Sequence, residues 1–124
     1  MNKKRPVHLN VLQISLPLPA LVSILHRVSG VILFLALPVL LWGLQYSLQS
    51  PESYAQLAQM LQHPLIKIVW LGLLWGFVQH FCSGIRHLAL DMHHGVKLAQ
   101  ARASSRWVMI ISLVITLLLG AWLW

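Results

Sequence analysis

Three apolar runs, each close to the length that crosses a bilayer, leave this 124-residue chain little freedom in how it folds. A helix needs about 20 apolar residues to cross about 30 Å of hydrocarbon. In lipid a chain must satisfy its own backbone, so only helices and closed barrels can span it. The runs are continuous rather than alternating, which selects helices. Only Glu52 and Asp91 are acidic, 58% of residues are hydrophobic, and mean hydropathy is +0.75. A water-soluble domain needs far more charge to cover its surface. The expected class is therefore all-α and integral to a membrane. The net charge of +7 could suggest nucleic acid, but the basic residues lie beside the spans, where topology and anionic membrane lipid account for them. Cys82, the single cysteine, has no disulfide partner in the chain and reads as a small apolar filler.

The pattern divides the chain into an extended arm over residues 1–20 and one three-helix transmembrane domain over 21–124. The first span is expected at about 21–46, fully apolar from Val28 and kinked at Pro38. The second is expected at about 64–90, with Lys67 snorkelling at its start, and the third at 107–124. Trp42, Tyr46, Trp107, Trp122 and Trp124 fall near span ends as interfacial anchors. The arm from Arg5 to Pro19 contains three prolines and no helical period, so it is expected to be extended. Between spans one and two, Ser50 can cap a short helix whose first turn holds Pro51. Lys3, Lys4 and Arg5 in the arm, and Lys97 and Arg102 between spans two and three, contrast with a connection over 47–63 that has no Lys or Arg. Positive-inside bias then predicts a cytoplasmic amino terminus and a periplasmic carboxyl terminus. With neither a cleavage site nor a transit-peptide pattern, a bacterial inner membrane is the expected home.

Two polar constellations interrupt the spans. Gly72, Gly76, His80 and Gly84 recur every fourth residue and share one helix face. An imidazole in an apolar run is costly and marks a functional site by default. Its glycine-lined groove suits close helix packing first, and also a flat macrocycle whose iron the ring ligates; spacing leaves both open. His87 and Asp91 continue the stripe within about 40° of His80. They read either as a surface i, i+4 pair or as part of a proton path to a quinone. On span one, Ser23, His26, Arg27 and Gly30 share a face at the same membrane level. Arg27 alone reads as an interfacial anchor. With Ser23 one turn away it can also donate to the carbonyls of a quinone, whose isoprenoid tail favours lipid. The adjacent His93 and His94 do not face one way on a helix and read as solvated loop.

Two gapped motifs then carry a family resemblance. The first is Arg5-Pro6-Val7 followed by Ser23-Ile24-Leu25-His26-Arg27-Val28-Ser29-Gly30. The second runs from His80 through Gly84, Arg86 and His87 to Asp91. Together with length, span number and basic arm, the chain resembles the cytochrome b anchor family of succinate dehydrogenase, the larger of the two membrane anchors of succinate:quinone oxidoreductase. Leu90 and His93 depart from the usual pattern, past the ligand position. The resemblance implies a helical bundle formed with a smaller hydrophobic anchor, and haem b ligated by His80 with its other axial ligand from that partner. It implies ubiquinone at Ser23 and Arg27, and His26, Arg86 and His87 near the propionates. An iron–sulfur subunit and a flavoprotein would deliver electrons from succinate, since this chain has no succinate site of its own. The rivals are a cofactor-free structural anchor and a protomer of a small oligomeric transporter. The latter requires an ionisable group reached from both sides, whereas these polar groups crowd to one.

Overall fold

The computed structural model describes residue 10 and residues 13–124. The basic cluster Lys3, Lys4 and Arg5, and with it Pro6 and Val7 of the first motif, lies outside the described residues. Four helices follow in order: α1 (Leu18–Ser47), α2 (Pro51–Leu61), α3 (Pro64–Asp91) and α4 (Leu98–Leu123). Three of them, α1, α3 and α4, are long and apolar enough to cross a membrane, and among the described residues there is no strand.

Two helix starts differ from the positions expected from hydropathy, for physical reasons. Pro17 is extended and Pro19 lies in the first turn of α1, where a missing N–H costs nothing. Leu18 and Pro19 thus join the helix instead of the arm. α4 starts at Leu98, well before Trp107. Its first turns, Leu-Ala-Gln-Ala-Arg-Ala, are good helix formers, so the helix continues beyond its most apolar stretch. α1 runs on through Pro38 without interruption.

The caps follow local chemistry. Ser50 Oγ accepts the Ser53 backbone N–H at 3.1 Å and starts α2. The Glu52 carboxyl is held below the ordinary carboxylate range by its own backbone N–H and by the Ser50 hydroxyl. His63 caps α3, its Nδ1 accepting from the Leu65 N–H at 3.3 Å. α3 ends in a reciprocal pair of bonds, His94 N–H to Ala89 O and His93 N–H to Leu90 O, both 2.9 Å. That closure needs a left-handed residue, and here it is His93, at φ 63°. Its Nδ1 lies 3.0 Å from Asp91 O. Both adjacent histidines are exposed.

α3 is central, packing on α1 along one side and on α4 along the other. α2 rests mainly on α1, where the Tyr46 hydroxyl donates to Gln56. The interior is small and polar: Ser29, Gln79, Ser83, Arg86, Ser105, Ser112 and Thr116 are buried beside Val22, Val78 and Val108. The large apolar side chains, such as Phe34, Phe77 and Leu118, point outward. Lipid tails are as apolar as leucine, so small residues at the seams bring backbones close while bulky ones face lipid.

Candidate functional site

The site grows from the crossing of α1 and α3 at the end of the bundle that carries the α3–α4 connection. His80 projects from α3 against α1, where it meets a residue with no side chain. A Cβ built on Gly30 would stand 3.0 Å from His80 Cε1, so the ring can approach the helix only over a glycine. Its Nδ1 lies 3.0 Å from His26 O and 3.2 Å from Ser29 Oγ. A carbonyl oxygen only accepts, so Nδ1 carries the hydrogen. The Ser29 hydroxyl donates its own hydrogen to His26 O at 2.9 Å, which leaves Oγ free to accept from Nδ1. In the neutral ring this tautomer puts the lone pair on Nε2, the arrangement a metal-ligating histidine adopts when its other nitrogen donates to a carbonyl.

The His26 ring stacks on His80 with centroids 4.2 Å apart and planes 10° from parallel. On its other partner, His87, the separation is 4.9 Å and the angle 25°. Gly84 gives His26 its room: a Cβ there would lie 3.6 Å from His26 Nε2. The glycines of the two helices therefore divide by task. Gly30 and Gly84 admit the rings, while Gly72 and Gly76 face open space and line a groove of about 310 Å³ between α1 and α3 with Leu25, Ser29, Ile32 and Gln79.

The remaining site residues fall into separate places. Arg27 is exposed and Ser23 half-buried, one turn apart on α1, and among the described residues neither side chain makes a hydrogen bond within the chain. Arg86 is buried on the opposite seam: its Nε donates to Ser104 Oγ at 3.0 Å and Nη2 to Ala101 O at 3.3 Å. The structure thus gives Arg86 to α4 and does not bring it to the histidine column. Asp91 is exposed, and the i, i+4 contact with His87 does not form, because His87 Nδ1 turns back to Ser83 O at 2.6 Å. Among the described residues no three metal-ligating side chains converge. Sequence reasoning had left Ser29 out of the site. Its signal was position: three residues after His26, on the face that meets α3. Gln79 and Ser83 were also missed, and each holds a buried oxygen without a hydrogen-bond partner, Gln79 Oε1 and Ser83 Oγ.

Comparison with known proteins identifies the family. Residues 1–119 match the family model described as succinate dehydrogenase/fumarate reductase transmembrane subunit. The succinate dehydrogenase cytochrome b556 subunit of Coxiella burnetii is 38% identical over 100% of both chains. The subunit of the same name from Rickettsia felis is 33% identical over 94% of this chain and 90% of its own. That from Paracoccus denitrificans is 31% identical over 94% and 88%. On the strength of a match across almost its whole length, the chain belongs to the succinate dehydrogenase/fumarate reductase transmembrane subunit family.

Proposed function

We propose that this chain supplies one axial ligand to a haem b and part of a ubiquinone pocket, passing electrons from succinate oxidation into the membrane quinone pool. The observation that carries the reading is the hydrogen-bonding of His80. Nδ1 is committed to α1 through His26 O and Ser29 Oγ, so Nε2 is the nitrogen oriented and electronically ready for iron. The fit extends to space, because the groove beside Gly72 and Gly76 is apolar and open on the face of α1 and α3. Such a face suits a planar group clamped between this chain and a second anchor that supplies the opposite imidazole. When bound, haem supplies one-electron redox chemistry.

This chain's residues do the positioning. Ser29 and the His26 carbonyl hold the His80 ring against rotation, and the stacked His26 ring covers one of its faces. Ser23 and Arg27 offer donors at the helix end, where quinone carbonyls can accept them with the tail left in lipid. Hydrogen bonds from a charged donor stabilise such a contact by about 1.5–3 kcal/mol. The basic end of the bundle, with Lys97, Arg102 and Arg106, faces the cytoplasm of a bacterial inner membrane, by the positive-inside rule. The flavoprotein and iron–sulfur subunits dock on that side, and the smaller hydrophobic anchor packs laterally.

The test is spectroscopic. In the purified complex, His80→Leu abolishes the low-spin b-type spectrum, while His87→Leu, whose Nδ1 is turned to its own helix, leaves iron ligation intact. A full low-spin haem complement in His80→Leu would refute the ligand assignment.

A further inference from the structure

At the opposite end of the bundle, α2 packs on α1 and touches α3 but makes no contact with α4. The gap is a cleft of about 710 Å³. Its walls are apolar: Ala58 and Leu61 from α2, Leu71 and Leu74 from α3, and Leu123 from α4. The rim is polar and aromatic, with Tyr54, Gln62, Lys67, Trp70 and Trp124. Lys67 is half-buried at the start of α3, with Nζ 4.7 Å from the centre of the Trp124 ring. A cation over an indole face retains its charge and its N–H donors. No carboxylate pairs with it among the described residues. The nearer of the two acidic side chains in sequence, Glu52, is engaged at the far end of α2 by Ser50. Lys67 is also the sole Lys or Arg between Arg27 and Arg86, so this end of the chain has one permanently basic side chain, without an ion-pair partner among the described residues and set at the mouth of an apolar cleft where a span begins.

We propose that this cleft binds one anionic phospholipid, its phosphate on Lys67 and an acyl chain along Leu71, Leu74 and Leu123. The chemistry is complementary at both ends. Lys67 Nζ, the Tyr54 hydroxyl and the Gln62 amide are donors for phosphate and glycerol oxygens. The wall beneath them is hydrocarbon, which a free phosphate ion could not use and a lipid tail can. The lipid fills the space that separates α2 from α4 and pins the amphipathic helix to the bundle. The site is independent of the haem and quinone reading, being at the other end of α3 from His80.

The experiment uses the whole complex in mild detergent, stripped of lipid, and phosphatidylglycerol with a photoactivatable group in mid-chain. Labelling maps to peptides covering 54–62, 67–74 and 120–124. It is competed by unlabelled phosphatidylglycerol and not by phosphatidylcholine or inorganic phosphate. Lys67→Gln weakens apparent binding about fivefold, the effect of one basic side chain at an anionic headgroup, and Lys67→Arg restores it. Ala58→Phe, which fills the cleft from α2, blocks labelling with the charge intact. In all three variants the haem spectrum and co-purification of the other subunits stay unchanged. Labelling confined to other chains, equal competition by phosphatidylcholine, or indifference to Lys67→Gln would overturn the proposal.

Discussion

Gly30→Ala is the smallest change that tests whether the crossing of α1 and α3 is built around the His80 ring. The new methyl carbon would stand 3.0 Å from Cε1 and 3.5 Å from Nδ1. Carbon atoms rest about 3.5–4.0 Å apart, so the ring must retreat from α1 by roughly half an ångström. Both of its hydrogen bonds run to α1, and the 3.2 Å contact with Ser29 Oγ is the first to open. Overpacking costs about 1–3 kcal/mol and a lost hydrogen bond about 1 kcal/mol. Alanine offsets about 1 kcal/mol of this as the better helix former. The net is about 2 kcal/mol, or close to thirtyfold in an equilibrium constant, on the arrangement that presents Nε2. The assay is the reduced-minus-oxidised difference spectrum of membranes, normalised to the amount of this chain and titrated with added haemin. Gly30→Ala lowers haem occupancy at limiting haemin, and Gly30→Leu removes it. Gly43→Ala, on the same helix with nothing within 4 Å of the added carbon, gains the same propensity and leaves the spectrum unchanged. Full occupancy with an unshifted band in Gly30→Leu would refute the reasoning.

Two further outcomes are expected. Arg27→Leu reduces quinone reduction by roughly tenfold or more, while succinate oxidation by a soluble artificial acceptor survives; a parallel fall in both would make Arg27 an assembly determinant instead. A reporter fused after Trp124 is active only in the periplasm and one inserted near Gln100 only in the cytoplasm, and a cytoplasmic carboxyl terminus would overturn the orientation.

Hydropathy locates the membrane helices because it records where side chains meet lipid. It does not record where a helix ends, which is why α4 begins at Leu98 and takes in Arg102 and Arg106. The histidine stripe was legible from its period of four, since such residues must share a face. Which helix that face meets was not legible, because facing depends on packing. Arg86 illustrates the difference. It lies about 120° around α3 from His80, so a wheel already separates them, yet only the fold supplies Ser104 and the Ala101 carbonyl as its partners. Ser29 was hidden for another reason. A serine inside an apolar helix usually turns back to a carbonyl three or four residues earlier, and Ser29 does so with His26 O; that it also receives His80 Nδ1 depends on a residue fifty-one positions away. His93, a departure from the expected pattern, takes the left-handed position that closes α3, one a glycine would occupy more easily.

The serines and threonine along α4 bear on how the last two helices depend on each other. Ser104, Ser105, Ser112 and Thr116 each donate to a carbonyl three or four residues back, at 2.7–3.1 Å. Every one of these hydroxyls is satisfied within α4 itself, before the helix meets a neighbour. α3 cannot do the same. Its Arg86 guanidinium finds its acceptors only on α4, and a lone arginine in a spanning segment is costly in lipid. α4 follows α3 in the chain, so these acceptors reach Arg86 only once α4 has packed against α3. The two helices are thereby unequal partners: α4 satisfies its own hydroxyls, whereas α3 depends on α4 for the acceptors of its arginine.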